Sequence, residues 1–267
     1  LQPLGVEEAA ELAAEAGFTG MDLAVRPGGH VEPEDVKTAL PEAVRQIKAA
    51  GLTCPMMVTN ITAPDTPFAR DVLETAASLG IKRYRMGYYR YSYEMPIHYE
   101  IETIHQGFMQ LSLLNEQCGI RGEYQNHGGG MFGSAPMELW YVLKNLPTQW
   151  IGCQYDVKHA VMEGGKSWDN TLLFLYNYIG SLDVKDGRWE KQEDGSWYQK
   201  SVPMGEGMVD WQRWAELFSL NSSIPLSFHF EFPLPGNPEA GSSQWKQALL
   251  KVMKRELAVF KTIAQPE

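Results

Sequence analysis

Apolar positions along the chain fall into two patterns that alternate. Amphipathic stretches repeat apolar residues at steps of three or four, as Val36, Leu40, Val44 and Ile47 do, and this spacing predicts a helix. Four such stretches end in a glycine followed by an apolar residue, and glycine just past a helix supplies a left-handed C-terminal cap. These glycines are Gly17, Gly51, Gly80 and Gly119.

A short strand-like run follows each of these glycines, and three more runs occur later in the chain. The predicted strands are Thr19–Leu23, Cys54–Thr59, Arg83–Gly87, Gly122–Asn126, Trp150–Asp156, Tyr178–Lys185 and Pro225–Phe232. The predicted helices are 6–16, 37–50, 66–79, 99–118, 135–145, 209–219 and 241–263. Strands that alternate with helices at a spacing of about 30 residues predict a parallel sheet with crossover helices.

We therefore predict a single α/β domain over residues 1–267, a (β/α)8 TIM barrel. Seven strands are one short of a full barrel, so the first strand is expected to be missing or irregular at the N-terminus. An open doubly wound sheet is the alternative, but no glycine-rich phosphate turn follows any predicted strand. The polar stretch 185–202 is expected to form a long loop at the catalytic face.

Composition and charge narrow the classes of partner. Of the 267 residues 44% are apolar, which is enough to bury a large core. A formal net charge of −10 argues against a nucleic-acid or anionic-membrane partner, and no apolar run approaches the roughly 18 residues of a membrane span. The chain begins at Leu1, and we expect a processed or trimmed product from the cytoplasm, or from the periplasm after removal of an export signal.

Polar and ionisable residues collect at the ends of four predicted strands, where the reactive groups of a barrel lie. Side chains alternate along a strand, so residues two apart share a face. The residues that share a face in this way are Glu123, Gln125 and His127; Gln154 and Asp156; Asp183 and Lys185; and His229 and Glu231. Burying such groups without partners is costly, so we expect a shared purpose, the binding of a divalent cation, a polyol or both.

Each of these residues also has a structural interpretation. Glu123 could form an ion pair, His127 could cap a turn, and His159 could begin a helix. Four consecutive strand ends with the same character favour the functional interpretation of the set. Carboxylates and imidazoles together suit Mn, Zn, Co or Fe, and carboxylate-rich sets also suit Mg.

Further candidates lie outside the strands. Arg26 and His30 follow the first predicted strand and could bind substrate oxygens or anchor a loop. Glu163, in a Glu-Gly-Gly turn, could bring a carboxylate to the mouth of the barrel or form only the turn. Trp168 offers an aromatic face that could stack on a sugar or pack elsewhere.

Several of these motifs together resemble one family. They are the Asp-x-x-His of Asp156 and His159, the strand end at Lys185-Asp186, the run Gly-Glu-Gly-Met-Val-Asp-Trp at 205–211, and Glu231 on the last strand. The chain resembles the sugar phosphate isomerase/epimerase family, the xylose-isomerase-like TIM barrels, over nearly its whole length. It is most similar to a branch with Tyr-Gln-Asn-His, Gly-Cys-Gln-Tyr-Asp, His-Ala-x-x-Glu-Gly-Gly and His-Phe-Glu, all present here.

The resemblance implies one divalent metal ion, Mn, Zn, Co or Mg, held by a Glu, an Asp, a His and a second Glu from four strands. Asp156 and Glu231 match this pattern, but Gln125 stands where the family has Glu and Asp183 where it has His. We expect the metal at Gln125, Asp156, His229 and Glu231, with Asp183 as a substitute ligand.

The function that the resemblance implies is a metal-assisted sugar isomerase or epimerase, which abstracts a proton beside a carbonyl and passes through an enediolate. The candidate acids and bases are Glu123, His159 and Glu231, and Lys185 is expected to help electrostatically. The residues expected to bind the sugar or keto-sugar are Arg26, His30, His127, Glu163 and Trp168. The alternatives are a 3-keto-glycoside lyase or hydrolase that uses the same site, and a non-catalytic sugar-binding barrel. Both a monomer and a homo-oligomer remain open.

Overall fold

A computed structural model describes residues 1, 3–217 and 224–264. Seven parallel strands form its main sheet, in the order β1-β2-β3-β4-β5-β6-β9. They are β1 (Gly20–Ala24), β2 (Thr53–Val58), β3 (Arg83–Arg85), β4 (Arg121–Gln125), β5 (Ile151–Asp156), β6 (Ile179–Val184) and β9 (Leu226–Phe228). Each of these strands pairs with the next one along the chain within this sheet, as successive crossover units do.

Helices follow the strands on the outside of the sheet. They are α1 (Val6–Ala16), α2 (Val36–Ala49), α3 (Ala69–Ser78), α4 (Ile97–Cys118), α5 (Pro136–Leu143), α6 (Val157–Gly164), α7 (Trp168–Leu175), α8 (Trp211–Leu217) and α9 (Ser243–Ala264). Positions 218 and 219 of the predicted helix 209–219 lie outside the described residues. No helix in the described ranges is long and apolar enough to cross a membrane.

The strands curl into a barrel that is nearly closed. The edge strands β1 and β9 make no ladder with each other among the described residues, but Ser227 donates a hydrogen bond to Asp22 across the gap, with 2.8 Å between Oγ and Oδ2. No strand precedes α1 in the part of the chain that the structure covers. The prediction of an α/β TIM barrel with a missing or irregular first strand is confirmed.

Glycine ends the helices where the sequence predicted it. Gly17 and Gly119 adopt the left-handed conformation, with φ of 94° and 70°, and their backbone amides cap α1 and α4. Between α4 and the sheet, Phe108 packs against the rings of Tyr124 and Phe132, with centroids 5.6 and 6.0 Å apart. These buried contacts hold β4 in position, and β4 supplies Gln125 to the barrel mouth.

The structure differs from the sequence prediction in three places after β5. The last strand, predicted over 225–232, ends at Phe228, so His229 and Glu231 lie beyond it. Residues 185–202, expected to be a loop, form an antiparallel hairpin of β7 (Asp186–Lys191) and β8 (Trp197–Val202). The helices α6 and α7 were not predicted. Both are only eight residues long, which is too short for a recognisable periodic pattern, and α6 is buried at six consecutive positions from Val157 to Met162, including Lys158 and His159.

Candidate active site at the barrel mouth

Asp156 joins the end of β5 to the start of α6. Its Oδ1 accepts a hydrogen bond from the backbone N–H of His159 at 3.0 Å, so Asp156 is the N-cap of α6. Asn126, the residue after β4, also holds Asp156, because its side chain accepts a hydrogen bond from the Asp156 amide at 2.7 Å and donates one to the Asp156 carbonyl at 2.9 Å. The spacing of Asp-x-x-His and the Asn after Gln125 are therefore explained by local geometry that fixes Asp156.

Lys185 lies between two carboxylates. Its Nζ is 2.9 Å from Asp156 Oδ2 and 3.0 Å from Glu231 Oε1. The Lys185 side chain is only 2% exposed, whereas that of Glu231 is 45% exposed. A second lysine, Lys158, approaches the other oxygen of Glu231 at 3.8 Å. Glu231 is thus the carboxylate of this cluster that solvent or a substrate can reach.

Gln125 connects these carboxylates to the third strand. Its amide nitrogen donates to Asp156 Oδ2 at 2.8 Å and also to Asp183. Its carbonyl oxygen accepts from Arg85 Nη1 at 3.0 Å and from the Tyr88 hydroxyl. Because Arg85 and Tyr88 donate to the Gln125 oxygen while two carboxylates accept from its nitrogen, the Gln125 amide has a single favourable orientation.

Asp183 is the third buried carboxylate of the cluster. Besides Gln125, the amide of Gln154 donates to it, and His229 Nε2 lies 3.4 Å from its Oδ1. His229 also approaches Glu231, with 3.5 Å between Nδ1 and Oε1. The strands β4, β5 and β6 and the segment after β9 therefore bring their polar groups to one place, which we call the mouth cluster: Gln125, Asp156, Asp183, Lys185, His229 and Glu231.

Burial raises the carboxyl pKa values of the cluster, whereas nearby positive charge lowers them. Burial by itself raises the pKa of Asp156, but the positive charge of Lys185 outweighs it and lowers that pKa to about 2. For Asp183, burial dominates and raises the pKa to about 6. Asp156 is therefore ionised throughout the physiological range, whereas Asp183 titrates near its lower end.

Two imidazole rings lie in tilted contact at the rim beside the cluster. The rings of His127 and His159 have centroids 4.0 Å apart, and neither ring nitrogen of His159 makes a hydrogen bond among the described residues. Burial lowers the pKa of His159 to about 3, so this ring is neutral at pH 7. Glu163 lies further out, where its Oε1 accepts from Gln199 of the hairpin at 2.7 Å.

A cavity of about 780 Å³ opens beside the mouth cluster, between β1 and β9. The charged and histidine side chains in its lining are Asp22, Arg26, His30, Arg85, His229 and Glu231, beside apolar residues of α1 and α9 such as Ala13, Leu249 and Met253. The structure thus brings the predicted sugar-binding residues Arg26 and His30 to the same cavity as Glu231. Arg26 Nε is buried there without a hydrogen-bond partner among the described residues.

Glu123 and Trp168, both predicted as site residues, are enclosed by structural contacts away from the cluster. Glu123 is fully buried one layer below Gln125, where Arg121 and Arg83 lie 3.3 and 3.7 Å away and Ser181 donates a hydrogen bond to it. Trp168 is 6% exposed and belongs to the hydrophobic core at the start of α7. These contacts give both residues a structural role, and we assign them none in the chemistry below.

The residues expected to hold a divalent metal do not fit one as they are arranged. Within the described ranges, no three His, Cys, Asp or Glu side chains are disposed to hold a metal ion. Both lone pairs of the Gln125 carbonyl accept from Arg85 and Tyr88, and an ammonium lies between Asp156 and Glu231. The donor atoms are thus committed to protein groups.

Arg85 and Lys158 also belong to the site, although neither was predicted from the sequence. Arg85 is the last residue of β3, in the alternating run Arg-Tyr-Arg, so the rule that found Gln125 would also have placed it toward the barrel. Lys158 follows Asp156 on α6, where its Nζ donates to Ser201 of the hairpin at 2.9 Å. That contact depends on the hairpin, which the sequence did not reveal.

Comparisons with known proteins agree with this architecture. The model of the xylose isomerase-like TIM barrel family matches residues 10–249. Among curated proteins, none matches the sequence. A xylose isomerase domain protein from Alicyclobacillus acidocaldarius superposes with a TM-score of 0.71 at 16% identity, covering 98% of this chain and 95% of that one.

Two further solved structures share the fold. A xylose isomerase-like TIM barrel protein from Mycobacterium smegmatis, in complex with magnesium, gives a TM-score of 0.62 at 12% identity, covering 94% of this chain and 89% of that one. The 3-keto-D-glucoside 4-epimerase from E. coli gives a TM-score of 0.63 at 12% identity, covering 93% and 94%. Identities this low establish similarity of fold.

Proposed function

Because the chain belongs to the family of xylose isomerase-like TIM barrels, we propose that it is a sugar isomerase or epimerase. The reaction takes a proton from the carbon beside a carbonyl and returns one to another carbon or to the other face. The observation that supports this is the convergence of three carboxylates, a lysine and a histidine beside an open cavity. A barrel needs no such set for stability, since apolar side chains fill its interior more cheaply.

Glu231 is the base in this proposal. It is the exposed carboxylate of the cluster, at the cavity wall. Burial raises its pKa, but the hydrogen bond from His229 and the charge of Lys185 outweigh that effect and lower it, so Glu231 is ionised before the reaction. If a substrate oxygen draws Lys185 away, Glu231 loses the hydrogen bond from Lys185 and becomes more basic.

Lys185 supplies positive charge at the position where negative charge develops. When Glu231 takes the proton, the electron pair of the C–H bond forms a C=C bond and the π pair of the carbonyl moves to its oxygen, where a buried ammonium stabilises the negative charge. The neutral ring of His159 can donate to one sugar hydroxyl and accept from another. Arg26 and His30 bind the more distant hydroxyls in the cavity.

Solvent hydrogen exchange tests this proposal. The protein is incubated in deuterated water with a panel of aldoses, ketoses and 3-keto-sugars, and NMR or mass spectrometry locates the deuterium. We expect label on the carbon beside the carbonyl of at least one sugar. Glu231→Gln should slow the labelling by about 10²–10⁴-fold, the usual contribution of a general base.

A matched control is Glu190→Gln on the hairpin. Glu190 is ion-paired with Arg188 and Lys200 outside the mouth cluster, so its substitution should leave the labelling rate unchanged. Sugar binding without any labelling would contradict the proposal and favour a non-catalytic sugar-binding barrel.

A second candidate function is cleavage of a 3-keto-glycoside. The presence of Gln125 and Asp183 where the resembled family has Glu and His favours it, because a rebuilt site suits a changed substrate. Proton abstraction beside the keto group would then expel the group at C1. Product analysis distinguishes the two reactions, since isomerisation conserves the mass of the sugar and cleavage releases an aglycone.

A further inference from the structure

We infer that this barrel is a metal-independent member of its family, because Gln125 and Asp183 replace two of the family's ligands and the ammonium of Lys185 takes the position of the divalent ion. The inference rests on the proposed function for the use of that charge, and on the geometry of the mouth cluster for its location.

Lys185 lies between the two carboxylates that a metal ion would need. Its Nζ lies 2.9 Å from Asp156 and 3.0 Å from Glu231, the two residues that match the family's metal ligands. Those distances are hydrogen-bond lengths, whereas a small divalent ion binds carboxylate oxygens at about 2.0–2.2 Å. An ammonium and a divalent cation repel each other and compete for the same lone pairs, so the two would not share this position.

The oxygen of Gln125 is not available to a metal ion. In place of a carboxylate from β4, the chain has an amide whose oxygen already accepts from Arg85 and Tyr88. Its nitrogen points toward Asp156 and Asp183. A flip that offered the oxygen to a metal would place the amide N–H groups against the Arg85 guanidinium, donor against donor.

Other side chains that can carry positive charge also lie beside these carboxylates. Lys158 Nζ is 3.8 Å from Glu231 Oε2, and His229 lies between Asp183 and Glu231 at 3.4 and 3.5 Å. The carboxylates of the mouth cluster are therefore each contacted by a protein side chain that can carry positive charge. In the reaction, the Lys185 N–H groups turn from Glu231 to the substrate's carbonyl oxygen, which gains the π pair of the C=O bond as the C–H pair forms the C=C bond.

Manganese binding tests the inference without any sugar. Wild type, Lys185→Met and the control Lys200→Met are dialysed against chelator and then titrated with Mn²⁺ by calorimetry. Removing Lys185 leaves Asp156 and Glu231 facing a vacated position, so Lys185→Met should bind one Mn²⁺ at least tenfold more tightly than wild type. Lys200 is ion-paired with Glu190 on the hairpin, outside the mouth cluster, so Lys200→Met should behave as wild type.

Two results would overturn the inference. One is wild-type binding as tight as that of Lys185→Met, and the other is a folded Lys185→Met that gains no affinity. Circular dichroism establishes folding, and Lys185→Gln replaces the Met variant if that one does not fold. Neither result affects the solvent-exchange proposal, because a barrel that binds metal beside Lys185 can still label a sugar, and a metal-free barrel can fail to do so.

Discussion

At the scale of single residues, Asp156 is a buried charge that depends on several hydrogen-bond partners. Its carboxylate is fully buried, caps α6 through Oδ1, and receives Lys185 and Gln125 through Oδ2. Removing one partner of a buried ion pair costs more than the pair contributes, since the other charge remains buried. Asp156 therefore couples the stability of the barrel to the arrangement of its mouth.

Asp156→Asn should be strongly destabilising. The new amide nitrogen would face Lys185 Nζ and Gln125 Nε2, both of which are donors. We expect a loss of about 3–5 kcal/mol in the free energy of unfolding, measured by urea denaturation. Asp194→Asn, at the exposed turn of the hairpin, is the control and should leave the urea midpoint unchanged; an equal effect of both would refute the account.

The same residue predicts a pH dependence. Lys185 holds the folded-state pKa of Asp156 at about 2, below the value of about 3.9 expected in the unfolded chain. A lowered carboxyl pKa contributes stability that is present above the unfolded value and is lost as the pH falls through the folded one. The difference in unfolding free energy between wild type and Asp156→Asn should thus shrink by about 2 kcal/mol from pH 4 to pH 2. A difference independent of pH would contradict this cause.

At the scale of elements, Asp186 explains both the hairpin and the motif at 205–211. Its carboxylate accepts hydrogen bonds at 2.7–3.3 Å from one indole and four backbone amides. The donors are Trp211 and Gly187, Gly205, Gly207 and Val209. A Cβ at Gly207 would lie 2.0 Å from Asp186 Oδ1, so only glycine allows this approach. Asp186 therefore connects the hairpin and the segment before α8 to the end of β6, next to Lys185.

Asp186→Ala should loosen this region. Each buried donor left without a partner costs about 1–3 kcal/mol, and we expect a total loss of at least about 3 kcal/mol. Hydrogen exchange should rise first at the amides of Gly205, Gly207 and Val209. The control is Asp194→Ala, which removes only local contacts to Ser196. Unchanged protection of the three amides would contradict the assigned role of Asp186.

At the scale of the whole molecule, the barrel could be predicted from local patterns because each strand–helix unit carries its own signals. Glycine caps such as Gly17 mark the joints, and the alternation of β4 and β6 points Gln125 and Asp183 toward one interior. The convergence of carboxylates at the mouth followed from the same rule, since the carboxyl ends of parallel strands meet at one edge.

The partners of those side chains could not be predicted, because they come from segments far apart in the sequence. Lys185 and Glu231 are 46 residues apart, and nothing local indicates that they are in contact. Glu123 lies one layer deeper than Gln125 on the same strand, but nothing local indicates that Arg83 of β3 would lie beside it. Which side chains of neighbouring strands share a layer depends on strand register, which the sequence pattern does not specify.

Deuterium incorporation by chelator-treated wild-type protein tests the central claim most directly. The protein is freed of metal with EDTA, mixed with the sugar panel in deuterated water, and assayed with the chelator present. If Glu231 abstracts the proton and Lys185 supplies the charge, label should enter the carbon beside the carbonyl at an undiminished rate. Label that appears only after Mn²⁺ is added, or label in none of the sugars, would contradict the account.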